Sequence, residues 1–338
     1  MKKSTFLTSI LASVLLLTAC STGGETVKKT ETENSDQYPI HITHAFGETV
    51  LKEKPKRVAA ISWGNQDVPL ALGVVPVGTS KANYGATKTG LHPWTIEKFK
   101  ELGVDQPVLF DDTDSLDYEA ISETAPDVIL AAYSGITKEE YDILSKIAPV
   151  IAYEQKPWQT LWRDQIMQDA KGMGMRKEGE KLVKDLDTLI EKKLAKYQNL
   201  KGKTAAFAFF NPADLGSFYI YLPEDPRAAY LTDLGLAFPE EIRKLSTDSS
   251  SFSILLSAEH ADVLNNVDIL VTYGNEDLLK AMRKDRLLGQ VPAIQNGSVA
   301  LLEDGSSLAA SVTPTALSIP YTIDEYLSVI GKAAEQVR

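Results

Sequence analysis

Between Lys56 and Tyr153 short apolar runs alternate with stretches of helical periodicity. Arg57-Val-Ala-Ala-Ile61, Val75-Pro-Val-Gly78, Asp127-Val-Ile-Leu-Ala131 and Val150-Ile-Ala-Tyr153 read as buried strands, because they are short, apolar and bounded by turn or cap residues. Between them, Asp67–Gly73 predicts a short helix ended by glycine, and another helix starts near Tyr118. Thr137–Ile147 is amphipathic, with Thr137 as N-cap and Glu140 at the spacing of a capping box. Strands alternating with helices predict an α/β lobe with a largely parallel sheet.

The period changes at Arg176–Asn199. Leu182, Val183, Leu186, Leu189, Ile190 and Leu194 fall on one side of a helix, and Glu180, Lys184, Asp187, Glu191 and Lys192 on the other. At about 1.5 Å per residue these 24 residues would run about 36 Å, enough to join two lobes as a stiff strut. A surface helix of one lobe would carry the same pattern. A second α/β series opens at Thr204-Ala-Ala-Phe-Ala-Phe-Phe210. It continues through helices at Ala228–Leu234 and Glu259–Leu264, strands at Asp268–Tyr273 and Val299–Leu302, and a terminal helix over Ile323–Val337. The two series echo one another. Glu119-Ala-Ile followed by Asp127-Val-Ile-Leu parallels Glu259-His-Ala followed by Asp268-Ile-Leu-Val.

Composition narrows the class. In 338 residues, 43% hydrophobic and 24% charged positions match a folded globular chain, and this length suits two domains. A net charge of −11 argues against nucleic acid or anionic lipid as a bulk partner. The N-terminus is a processing segment. Lys2 and Lys3 precede the 12-residue apolar run Phe6–Leu17, too short for a span that needs about 20 residues. The run ends in Leu17-Thr18-Ala19-Cys20, which looks like a bacterial lipobox, and Cys20 is the one cysteine of the chain. The expected layout is a signal peptide over 1–19 and a lipidated flexible tether over 20–38, poor in apolar residues. An N-terminal lobe over 55–160, a connecting helix over 176–199 and a C-terminal lobe over 203–338 follow. A soluble body would thus work on the outer side of a membrane, held by its lipid alone.

Enzyme signatures are incomplete. Gly202-Lys-Thr204 lacks the upstream glycine of a phosphate loop, since Tyr197 stands there. Gly172-Met-Gly174 follows a helical segment, and Lys177 occupies its third position, so it is no dinucleotide fingerprint. His41, His44, His92 and His260 do not pair at metal-ligand spacing, which weighs against a free zinc or manganese receptor. Asp111, Asp112 and Asp114 form an acidic cluster suited to helix capping or to a cationic ligand group.

Taken in order, several segments resemble the bacterial solute-binding lipoproteins that feed ABC importers for ferric siderophores, cobalamin and haem. They are Pro55-Lys-Arg-Val-Ala-Ala-Ile-Ser62, Leu70–Gly78, Tyr118-Glu-Ala-Ile121 with Ala125–Leu130, Ile147-Ala-Pro-Val150, Ser257-Ala-Glu259 with Val267–Val271, and Val291–Leu302. The resemblance implies two Rossmann-like α/β lobes joined by one long α-helix, with the ligand cleft between the lobes. Pro157-Trp-Gln-Thr-Leu-Trp-Arg163 and Asp225-Pro-Arg-Ala-Ala-Tyr230 look most like the iron–siderophore branch, with haem or cobalamin binding as the alternative on this scaffold. Glu119 and Glu259 match the glutamates that dock on the permease dimer, whose ATPase is cytoplasmic. First-turn glutamates also favour a helix dipole on their own account.

Ligand residues are expected on loops after the strands. The candidates are Trp63, Tyr84, Trp94, Tyr133, Trp158 and Arg163, then Arg227, Tyr230 and Tyr273, with Trp162, Phe210 and Arg243 nearby. Aromatic faces would pack a siderophore skeleton and arginine forks would reach its metal-bound oxygens. The iron would arrive already chelated, so no protein cofactor or metal site is required. Few arginines favour a hydroxamate or citrate-hydroxamate over a strongly anionic catecholate. The long tether favours a Gram-positive surface over a periplasm, and the body is expected to be monomeric.

Overall fold

The structure, a computed structural model, describes residues 37–246 and 251–338. The expected signal peptide, Cys20 and nearly all of the tether lie outside these residues.

A small antiparallel hairpin, β1 (Ile40–His44) with β2 (Gly47–Leu51), leads into the first lobe. That lobe is a five-stranded sheet of β3 (Val58–Ala60), β4 (Gly78–Ser80), β5 (Leu109–Phe110), β6 (Val128–Ala131) and β7 (Val150–Ala152). The order is β5-β4-β3-β6-β7 and every neighbouring pair is parallel. The residues of β3, β6 and β7 are all buried, which explains their unbroken apolar runs. The strand expected at 75–78 begins only at Gly78. Val75 is exposed, and the register to β3 starts at Ala59 opposite Gly78. Thr137 caps helix Lys138–Leu144 in a complete capping box with Glu140.

The second lobe departs from a simple repeat. Its sheet contains β8 (Ala205–Asn211), β9 (Asp214–Tyr221), β10 (Ser253–Ser257), β11 (Ile269–Tyr273) and β12 (Val299–Leu302), in the order β10-β9-β8-β11-β12. Strands β8, β11 and β12 are parallel, whereas β9 and β10 add as an antiparallel meander. The turn between β8 and β9 is local chemistry: Asn211 Oδ1 accepts from the Ala213 N–H at 3.0 Å.

The connecting helix runs over Arg176–Leu194, 19 residues and not 24, and a separate 3₁₀ turn follows at Gln198–Leu200. At about 1.5 Å per residue it is about 28 Å long. It packs against helix Trp162–Gly172, which precedes it in the crossover. The C-terminal helix, Ser318–Ala334, starts five residues earlier than expected and lies against the connecting helix too. One continuous core results. Leu130 and Ile151 of the first sheet, Phe207 and Val271 of the second, and Ile166, Leu186, Ile190, Ile323 and Leu327 of the helices belong to a single buried cluster. Each such side chain contributes about 1.5–3 kcal/mol by leaving water, so the lobes are cemented along this side. The opposite side, where the strands end, is open.

Candidate functional site

In both sheets the strand order reverses beside the first strand, between β3 and β6 and between β8 and β11. A crevice opens outside the carboxyl ends of strands at such a point. Here the two crevices face each other and enclose a cavity of about 590 Å³. The first lobe contributes Trp63 after β3, Asn83 and Tyr84 after β4, Tyr133 after β6 and Trp158 after β7. The second contributes Phe209 in β8, Tyr221 at the end of β9, Arg227, Phe252, Tyr273 at the end of β11 and Asp304 after β12.

Backbone chemistry aims the first-lobe rings. Ser62 adopts a positive φ of 66°, and its N–H donates to Ser80 Oγ at 2.9 Å. Asn65, fully buried, then ties two loops together. Its Nδ2 donates to Ile61 O at 2.6 Å and to Tyr133 O at 3.0 Å, while its Oδ1 accepts from the Tyr133 N–H at 3.0 Å. Gln165 donates to Trp63 O and to Asn65 Oδ1, each at 3.0 Å, and anchors the network on the crossover helix. Trp158 also has a positive φ, 60°, and its N–H donates to Ser134 O at 3.0 Å. Its indole lies directly on Gly135, where a Cβ would come within 2.2 Å of Nε1. Tyr133 meets Trp158 edge to face at 5.4 Å. Burial, with the nearby Asp225 charge, lifts the Tyr133 hydroxyl well above its ordinary range, so it stays protonated.

The second lobe supplies the cavity's arginine. Asp225, 1% exposed, is the N-cap of helix Pro226–Asp233 and accepts from the Arg227 N–H at 2.8 Å. The same carboxylate takes a two-pronged bond from the Arg227 guanidinium, Nε to Oδ1 at 2.8 Å and a terminal nitrogen to Oδ2 at 2.6 Å. The guanidinium lies 3.8 Å over the Tyr221 ring. Burial alone would lower the Arg227 pKa, but Asp225 and the neighbouring tyrosines hold it well above the usual value. Burial lifts Tyr273 to about 12 against the opposing charge and hydrogen bond of Arg227. The arginine is thus fixed, charged and already balanced. Across the mouth, Tyr84 donates to Asp304 Oδ1 at 2.6 Å and accepts from the Gly305 N–H at 3.1 Å, a direct bond between lobes. These walls offer aromatic faces, hydroxyls and one guanidinium edge. They suit a bulky ligand with an apolar frame and oxygen acceptors.

Of the expected ligand residues, Trp63, Tyr84, Tyr133, Trp158, Arg227 and Tyr273 converge here, while three lie elsewhere. Trp94 is buried, stacks on His92 at 4.5 Å and donates to Asp67 Oδ2 at 3.0 Å. Arg163 points to the connecting helix: it binds Asp187 at 2.6 Å and Asp233 at 2.8 Å. Tyr230 stacks on Tyr326 in the core, one turn deeper than Arg227. Trp162 donates to Asp233 at 2.8 Å beside Arg163, and Arg243 sits on a short exposed helix over Phe238. Phe210 is packed on Phe218, because alternation along β8 turns Phe210 to the outer core and Phe209 to the cavity. Phe209, Tyr221, Phe252, Asn83 and Asp304 were not anticipated. The turn residues Asn211-Pro-Ala-Asp214 carry the signal for the hairpin that delivers Tyr221.

Outside the cavity, the lobes share a second feature. Glu119 is exposed in the first turn of helix Tyr118–Glu123, capped by Asp117. Glu259 is exposed in the first turn of Ala258–Leu264, capped by Ser257. Each element leads into the strand beside the first of its sheet, β6 or β11. The histidines are dispersed: His41 pairs with Glu48, His44 with Thr49, and His92 with Tyr84 O, while His260 is exposed.

Comparison with known proteins agrees with this geometry. The chain is 54% identical to PiaA of Streptococcus pneumoniae TIGR4, crystallised in complex with ferrichrome; the match has a TM-score of 0.86 and covers 88% of this chain and 100% of that one. It is 24% identical to YfiY of Bacillus subtilis, named a probable siderophore-binding lipoprotein, over 87% of this chain and 88% of that one. It is 32% identical to YhfQ of the same organism, provisionally named an ABC transporter substrate-binding lipoprotein. That alignment takes in 54% of this chain and about half, 52%, of the relative. Among the described residues no helix is long and apolar enough to cross a membrane. The family model described as periplasmic binding protein matches residues 58–304, which run through both sheets and the cavity between them, and the chain belongs to that family.

Proposed function

We propose that this protein captures a ferric hydroxamate siderophore between its lobes and hands it to an ABC permease for iron uptake. The observation that carries the reading is the Arg227–Asp225 pair set in an aromatic cavity. A guanidinium whose charge is met by a buried carboxylate can still donate hydrogen bonds to metal-bound oxygens, yet it adds no net charge to the site. Such a site favours a complex of low charge, as a ferric trihydroxamate is, over a ferric tris-catecholate with several negative charges. The volume falls within the range of small-molecule sites, about 300–1,000 Å³. The similarity to PiaA, crystallised with the hydroxamate siderophore ferrichrome, supports the same class. Iron is cargo here, wrapped in its own ligand.

The remaining roles follow from this one. Cys20 carries the lipid that holds the body outside the cell, on a tether suited to a Gram-positive surface. Glu119 and Glu259, one per lobe, meet basic pockets on a permease dimer and set the orientation of the monomeric body. The continuous core behind the cleft supports a small closure on binding.

The test is co-elution. Purified protein is mixed with a ferric trihydroxamate and passed over a gel-filtration column. The expected result is one iron per chain in the protein peak, with the chelate's visible absorbance. Iron that remains in the small-molecule fraction for every chelate offered, or a Soret band acquired from haem instead, would overturn the reading.

A further inference from the structure

A second cavity of about 360 Å³ adjoins the aromatic one, sharing Trp63, Asn83 and Trp158 as a common wall. The first lobe alone lines it, and its character is different. Where the main cavity is faced by rings, this annex is faced by acceptors: Asp112, Asp114, Glu140 and Gln66. Lys81 also reaches it, but its ammonium is engaged by Asp111 at 2.5 Å. Burial lowers the pKa of His92, at the edge, against the opposing hydrogen bond from its ring to Tyr84 O, where Nε2 lies at 3.0 Å.

Gln66 makes the annex unusual. The residue is 4% exposed, and its Nε2 donates to Asp67 Oδ1 at 3.3 Å. The amide is oriented by that bond, because Asp67 also accepts from Trp94, Thr95 and Thr315. Its Oε1 is then left buried without a partner among the described residues. A buried acceptor with no donor is costly to leave unpaired. Asp112 differs in having a partner on each oxygen but no counter-charge among the described residues. It accepts from Ser80 Oγ and, through Oδ1, from the Asp117 N–H at 3.2 Å. Burial raises its pKa despite those two bonds, with Asp117 and Asp111 adding to the rise, and no cation faces it within pairing distance among the described residues. Both residues line the same annex, which adjoins the aromatic cavity through the shared wall of Trp63, Asn83 and Trp158.

We infer that the annex is a subsite for a protonated primary amine carried on an arm of the ligand, held by Asp112 and Gln66 with Glu140 nearby. The inference rests on the siderophore reading above and narrows it to ferric chelates with a pendant ammonium. Such a chelate would place its iron-wrapping portion among the rings beside Arg227 and thread its arm past Trp63 and Trp158.

The experiment compares two linear ferric trihydroxamates that differ only at the terminus, one with a free primary amine and one N-acetylated. A cyclic, uncharged ferric trihydroxamate serves as a third ligand. Each is titrated into the full chain with tryptophan emission as readout. The amine form is expected to bind at least tenfold more tightly than its acetylated partner, with the advantage shrinking as salt is raised. Asp112→Asn should cut the advantage below threefold by weakening the amine form more than the acetylated one. Equal affinities in the unaltered protein would overturn the annex inference while leaving the siderophore reading intact. So would a preference that survives in both Asp112→Asn and Glu140→Gln. Failure of all three ligands to bind would overturn the siderophore reading as well. Should Asp112→Asn fail to fold, the comparison in the unaltered protein and its salt dependence decide the matter alone.

Discussion

The two lobes reach the cleft by the same rule and bring different chemistry to it. Both put aromatic residues where parallel strands end at a reversal of strand order: Trp63 and Tyr133 in one, Phe209 and Tyr273 in the other. The first sheet is wholly parallel and delivers rings and acceptors. The second extends its parallel strand β8 by two antiparallel strands, β9 and β10, and the chain after β9 delivers Arg227 with Asp225 behind it. Shared topology therefore places the site, while the departure from repetition supplies its one balanced charge. On the exterior the lobes become alike again, each with a capped, exposed first-turn glutamate.

That likeness gives the largest expected effect. Glu119→Ala combined with Glu259→Ala should abolish iron uptake by cells and leave ligand affinity unchanged. Normal transport by the double variant would break the equivalence of the two positions. The asymmetry inside the cleft predicts the next effect. Arg227→Ala should weaken ferric hydroxamate binding roughly 10- to 150-fold, as a charged hydrogen bond of about 1.5–3 kcal/mol is lost. It should also destabilise the fold by about 3–5 kcal/mol, since Asp225 is then buried without its partner. Adding Asp225→Asn should restore much of the stability in a denaturant melt but not the affinity, which separates the two roles. On the first lobe, Gly135→Ala pushes the Trp158 indole from its seat. An aromatic contact of about 0.5–1.5 kcal/mol is at stake, so affinity should fall roughly two- to tenfold with little change in melting temperature. The smallest effect concerns the bond between lobes. Tyr84→Phe removes the hydroxyl that meets Asp304 and Gly305. Affinity should drop by up to about fivefold, near 1 kcal/mol, as measured by tryptophan quenching. A loss larger than that of Arg227→Ala would shift the weight of binding to the first lobe.

What was legible in the sequence followed from short-range physics. The Thr137 cap and Glu140 lie three residues apart, and the structure closes that box. Trp63 and Tyr133 directly follow buried apolar runs, and a residue there emerges at the end of its strand. Residues whose fate depends on distant partners were not legible. Arg163 carries the same fork as Arg227, but Asp187 and Asp233 draw it to the connecting helix. Trp94 follows a turn like a cleft residue, yet the Asp67 carboxylate, 27 positions away, takes its N–H into the interior. Phe209 and Phe210 differ by a single step of strand alternation, which no local pattern in the continuous run Ala205–Phe210 resolves. The meander was missed because its strands carry polar residues on the exposed face, as Ser217 and Tyr219 do.

A balanced arginine among aromatic rings, between two lobes cemented at the back, should select a ferric chelate of low charge. Tryptophan emission during titration decides this selectivity, with an uncharged ferric trihydroxamate, its iron-free form and a ferric tris-catecholate as the three ligands. Saturable quenching at one equivalent is expected for the first and far weaker binding for the other two. Tighter binding of the tris-catecholate, or equal binding with and without iron, would contradict it.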